Sequence, residues 1–120
     1  MEVPKIFESE YRFCLILWEE EPVNSTKLVQ IAKEQLGWSK ATTYTVIRRL
    51  AERGVLKNEN ATVTALVSKA QAQESRLEEM VEETFEGSLP AFIAAFSRGK
   101  KLGKAEVDQL KALIDSYEEG

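Results

Sequence analysis

The sequence predicts a mainly α chain in which three short helices and a small β-hairpin precede a helical tail. Three observations carry that expectation. Pro22, Gly37, Gly54, Gly87, Gly99 and Gly103 punctuate the chain into about six pieces. Most pieces carry apolar residues at helical spacing. One short stretch, around Thr62-Val63-Thr64, is β-branched instead.

The first piece, Ser9 to Glu20, opens on a residue able to cap a helix and is apolar nearly all round from Tyr11 to Trp18. It predicts a short central helix that Glu21-Pro22 ends. The second, Asn24 to Leu36, is capped by Asn24 or Ser25; Leu28, Val29, Ile31, Ala32 and Leu36 supply its apolar positions and Gly37 stops it. The third, Lys40 to Arg53, is capped by Ser39 and stopped by Gly54. Its Thr43, Val46, Ile47 and Leu50 fall at i, i+3, i+4 and i+7, a single buried face. The opposite face carries Ala41, Thr42, Tyr44, Thr45, Arg48 and Arg49. Val55 to Glu59 and Ala61 to Val67 predict two strands joined at Asn60.

The tail carries three apolar stripes. Leu77, Met80, Val81, Thr84 and Phe85 lie on a long helix ending at Gly87. Leu89, Phe92, Ile93 and Phe96 form the second stripe. Val107, Leu110, Leu113, Ile114 and Tyr117 form the third, after a polar connection from Ser97 to Gly103. These stripes have no large core among themselves, so their apolar faces are expected to meet a second copy of the chain. Three helices followed by a hairpin is the winged helix-turn-helix arrangement. Residues 1–67 are expected to form that domain and residues 68–120 a helical dimerisation domain.

Composition removes several functions. The chain has no His and a single Cys, Cys14. The commonest general base, the Ser-His and Cys-His nucleophile pairs, an intrachain disulfide and a Cys-rich metal site are excluded. Cys14 sits in an apolar run and is expected to be a small buried hydrophobe. No metal or cofactor site is read anywhere. No stretch is long and apolar enough for a membrane span, and the acidic N-terminus does not resemble a signal peptide, so a cytoplasmic location is expected. Gly99, Gly103 and Lys104 faintly echo a phosphate-binding loop. Only three residues separate the glycines and Ala105 follows the lysine, so no enzyme is expected.

A net charge of −4 argues, taken whole, against a nucleic-acid binder. Divided by segment it does not. Up to Val67 nine basic residues balance nine acidic ones, and the tail holds the whole deficit. Between Lys40 and Lys57 five basic residues stand against Glu52 alone, whereas six Glu and one Arg lie between Glu74 and Glu86. A basic patch on one element can bind phosphates while the rest of the chain stays acidic. The hydroxyls and guanidinium groups on the third helix are what phosphate and base-edge contacts need. The competing function is a winged-helix protein-interaction module without DNA binding, which would not need that positive charge.

From Trp38 to Leu50 the chain reads Trp-Ser-Lys-Ala-Thr-Thr-Tyr-Thr-Val-Ile-Arg-Arg-Leu. That run resembles the penicillinase-repressor family (BlaI/MecI/CopY-type regulators). Ile6, Glu8-Ser9-Glu10, Leu17-Trp18, Gly54-Val55-Leu56 and Leu66-Val67-Ser68 extend the likeness, and the tail stays in register. The resemblance implies a homodimeric repressor on a dyad-symmetric operator in double-stranded DNA, with the third helix in the major groove. It implies DNA contacts at Ser39, Lys40, Thr42 and Thr45. Ala41, Tyr44 and Arg48 would tune preference, and Arg49 would make a phosphate or structural contact rather than read a base. Leu77, Met80, Val81, Phe85, Phe92, Phe96, Leu110, Leu113 and Ile114 would dimerise. An upstream sensor or protease is left open as a partner. Three departures limit what carries over. The wing is short, without the family's Arg and Tyr on its second strand. Ala95-Phe96 stands where the β-lactam-responsive members are cut at Asn-Phe. No Cys follows Cys14, which excludes the Cys-x-Cys metal sensing of the copper-responsive members.

Overall fold

The computed structural model describes residues 2–99 and 102–117. Among the described residues six helices and three strands follow one another: α1 (Glu8–Glu20), β1 (Val23–Asn24), α2 (Ser25–Leu36), α3 (Lys40–Arg53), β2 (Leu56–Glu59), β3 (Thr62–Ala65), α4 (Lys69–Phe85), α5 (Leu89–Gly99) and α6 (Lys104–Asp115). This is a mainly helical winged helix-turn-helix with a helical tail. Two compact units result, Met1–Leu77 and Glu78–Gly120, and the division falls within α4.

The core of the first unit is built where the sequence stripes converge. Phe13 and Leu17 of α1, Leu28 and Ala32 of α2, and Leu50 of α3 are fully buried, with Val55, Leu56 and Val63 of the sheet region packed beside them. Phe13 stacks on Trp38 with ring centroids 5.5 Å apart. Cys14 is buried in the same cluster, and burial pushes its thiol up to about 12. The Asn24 side chain caps α2, accepting from the Thr26 N–H at 2.8 Å, and Gly37 closes that helix in the left-handed region at φ 72°.

Four expectations need correction. The first helix begins at Glu8, not Ser9. Glu10 at its third position reaches back to accept the Phe7 backbone N–H at 2.9 Å, satisfying a donor from within the helix. The sheet has three strands in the order β1-β3-β2, not two. The extra strand is two residues long, with Val23 opposite Val63 and Asn24 opposite Thr62, too short to show any alternation. The hairpin strands are also shorter than expected. Ala61 is a turn residue at φ 63°, paired with Asn60 at φ 52°, which makes a two-residue hairpin turn. At the other end the Val55 carbonyl accepts from both Leu66 and Val67, which ends the regular ladder. Finally, Ser97 and Gly99 belong to α5 rather than to a connection; the Ser97 hydroxyl donates back to the Ile93 carbonyl at 2.8 Å. Lys100 and Lys101 of that expected connection lie outside the described residues.

In the second unit Phe85 meets Phe92 edge-on at 5.8 Å, and Phe92 lies 6.2 Å from Phe96. No described residue of α5 or α6 is fully buried. Among the described residues, no helix is long and apolar enough to cross a membrane.

Candidate nucleic-acid interface

Helix α3 presents the exposed polar face that the sequence singles out. Ser39 sets its start. Its hydroxyl accepts from the Thr42 N–H at 3.1 Å and donates to the Thr42 hydroxyl at 3.0 Å. Thr43, fully buried, donates to the Ser39 carbonyl at 3.0 Å, so a polar side chain enters the core satisfied. Thr43, Val46, Ile47 and Leu50 anchor the helix inward. That leaves Ser39, Lys40, Ala41, Thr42, Arg48 and Arg49 exposed, and Thr45 half-buried.

Tyr44 does not lie on the open face as expected. It is half-buried against the core, with its hydroxyl 3.5 Å from the Ser25 hydroxyl. The turn of about 100° per residue carries Tyr44 to the flank facing α2. Glu52 lies on the open face instead, one turn beyond Arg48, and the Arg48 Nε stands 3.6 Å from its carboxylate.

The basic stretch is less free than its count suggests. Lys57 stands 3.7 Å from Glu59. Arg53 turns inward and binds Glu10 through both guanidinium nitrogens, with Nη1 at 2.8 Å from Oε1 and Nη2 on Oε2. The same Nη1 donates to the Lys5 carbonyl at 2.7 Å, and the guanidinium lies over the Phe7 ring. Burial pushes the Glu10 carboxyl up. The hydrogen bonds from Arg53 and the Phe7 N–H, with the charges of Arg53 and Arg49, more than reverse this and hold it below the ordinary carboxylate range. The Glu10 bond correspondingly raises Arg53. This pair is not legible in the sequence, where Arg53 only adds to the basic count of the stretch, because its partner Glu10 lies on another helix. Lys40 and Arg49 make no ion pair with another described residue, so they hold the least compensated charge of the stretch.

At the wing Lys57, Asn58, Glu59, Asn60, Ala61 and Thr62 are all exposed. In the tail Leu77, Phe96, Leu113 and Ile114 are exposed, while Met80, Val81, Phe85, Phe92 and Leu110 are half-buried. Ala95-Phe96 lies inside α5.

Comparison with known proteins gives a consistent result. The family model described as penicillinase repressor matches residues 6–116. The penicillinase repressor of Bacillus licheniformis is 18% identical over 119 residues, covering 96% of this chain and 93% of that protein. The methicillin resistance regulatory protein MecI of Staphylococcus aureus is 20% identical over 115 residues, covering 92% and 94%. An uncharacterized 16.5 kDa protein of Latilactobacillus sakei is 27% identical over 114 residues, covering 92% and 78%.

Proposed function

Because the chain belongs to the penicillinase repressor family, whose members are regulators and not enzymes, we propose that it is a homodimeric transcriptional repressor binding a dyad-symmetric operator in double-stranded DNA. One observation carries the reading: the outward face of α3 displays Thr42, Thr45, Arg48 and Arg49 around Ala41, on a helix whose other face is locked into the core. Helix α3 enters the major groove. Ser39 and Thr42, at the positive end of the helix dipole, take phosphate, as do Lys40 and Arg49. Arg48 reaches base edges on exchanging Glu52 for the operator, and small Ala41 and Thr45 allow close approach. Tyr44 supports the helix from its flank.

Residues 68–120 hold the dimer through the apolar faces of α4, α5 and α6. Two α3 helices then meet major-groove faces one helical turn apart or a small multiple of it. Each half-site alone is weak, so pairing supplies the affinity. Occupying a promoter excludes polymerase, and the protein acts in the compartment that holds the DNA.

The test is fluorescence anisotropy on DNA from upstream of its own gene, over a salt series, for wild type and an Arg48→Ala/Arg49→Ala variant. The variant should bind more weakly and lose about 1 to 2 from the slope of log affinity against log salt, the loss expected for one or two phosphate contacts. Binding that is absent, or equal and insensitive to salt, overturns the proposal. Light scattering should give twice 13.6 kDa.

A further inference from the structure

The first turn of α1 grips two helices at once. Glu10 holds Arg53, at the C-terminal turn of α3. Two residues earlier, Glu8 accepts from Arg76 Nη2 of α4 at 2.7 Å, and that bond and charge hold the Glu8 carboxyl below its ordinary range. The Arg76 guanidinium carbon lies only 4.1 Å from the centre of the Tyr11 ring. Trp18 braces the ring edge-on, with centroids 5.7 Å apart, and donates its indole N–H at 2.9 Å to the Val67 carbonyl, just ahead of α4. One turn before Arg76, Ala72 is buried at 2% exposure. The start of α4 therefore has a buried pivot at Ala72 and an orienting clamp at Arg76.

We propose that the Glu8–Tyr11 turn is a joint that sets the direction of α4 relative to α3, and that Arg76 is the positioning residue which selects the separation of the two operator half-sites. This rests on the repressor reading above. A pivot alone leaves a helix free to swing, whereas a planar guanidinium held between a carboxylate and an aromatic face admits few orientations. Helix α4 runs unbroken from the pivot at Ala72 past Arg76 to Phe85, roughly 20 Å at 1.5 Å per residue. A swing of about 10° about that pivot would carry the helix end by roughly 3.4 Å, the rise of one base-pair step. Loosening the clamp therefore blurs spacing while leaving the reading face of α3 intact, because Glu10 and Arg53 still hold that helix.

Footprinting with the wild-type protein defines the operator. Anisotropy then compares three duplexes: the native spacing, a spacing two base pairs longer, and a single half-site. Wild type should prefer the native spacing. Arg76→Gln should lower that preference by about threefold to fivefold, the range an exposed cation–ring contact supports. Its single half-site affinity, helical circular dichroism and dimer mass should match wild type. Arg76→Lys, which keeps the charge over the ring, should restore part of the preference. Glu8→Gln, the exposed side of the joint, should shift it in the same direction as Arg76→Gln. An Arg76→Gln protein that keeps the wild-type preference, or that loses affinity equally on all three duplexes, overturns the joint. A wild-type protein giving no footprint overturns the repressor reading beneath it, so the two failures are distinct.

Discussion

Replacing Arg53 with Met should cost stability in proportion to pH. The Glu10 side chain is 7% exposed and that of Arg53 is 27% exposed. Breaking a fully buried pair by removing one partner costs about 3 to 5 kcal/mol. The partial access of water to Arg53 discounts this to about 2 to 3 kcal/mol here. Met keeps the apolar stem and removes the charge, leaving Glu10 with the Phe7 N–H. In wild type the folded Glu10 lies below its unfolded value. Its contribution is complete above the unfolded value and is lost as pH falls through the folded one. In the variant burial prevails and the folded value rises above the unfolded one. The variant's penalty is then full at high pH and relieved as the carboxyl takes up a proton. The gap between the two proteins is therefore widest near pH 7.5 and narrows as pH falls towards about 4.5. Urea unfolding followed by far-UV circular dichroism at constant protomer concentration measures it. With Glu10→Gln completing a double-mutant cycle, the coupling at pH 7.5 should exceed the ~1 kcal/mol ceiling of exposed pairs. A coupling below about 0.5 kcal/mol, or a gap that ignores pH, would refute the reasoning.

Ala61→Gly should stabilise the protein by about 0.5 to 1 kcal/mol in the same urea assay, since Ala61 holds φ 63° and glycine removes the left-handed cost while adding chain entropy to the unfolded state. Cys14 should resist an aromatic disulfide reagent at pH 8 in the native protein and react at once in denaturant, because it is buried and its thiol is pushed up to about 12. Neutralising Glu78, Glu79, Glu82 and Glu83 to Gln should raise affinity for unrelated DNA by about threefold to tenfold at low salt, measured by anisotropy; no change would discard a role for tail acidity.

The helical part of the fold was legible because its signals are local. Ser39 and Gly54 bracket α3, Asn24 and Gly37 bracket α2, and both pairs act where their residue types predict. The buried face of α3 follows from spacing alone. What escaped was set by partners distant in sequence. Strand β1 exists only because β3 offers it hydrogen bonds. Tyr44 points at Ser25 because α2 packs along that flank. The start of α1 escaped for a different reason: Glu10 caps from inside the helix, so no Ser or Asn marks the first residue.

The interface illustrates the same limit in electrostatics. Counting charges between Lys40 and Lys57 finds the basic helix but overstates its field, since Arg53 answers Glu10, Arg48 answers Glu52 and Lys57 answers Glu59. The three pairs are not equivalent. Arg48 and Glu52 are both about two-thirds exposed, so their attraction is screened and Arg48 can leave Glu52 for a stronger anion at little cost. Arg53 cannot do so, because its departure strands a buried carboxylate. The usable positive charge is therefore Lys40, Arg49 and an exchangeable Arg48, carried on a scaffold that Arg53 holds still. On the proposed repressor reading, a weak field of that kind would make a single α3 a poor DNA binder, and would make the separation of two such helices, with the clamp proposed at Arg76, the property on which selective binding turns.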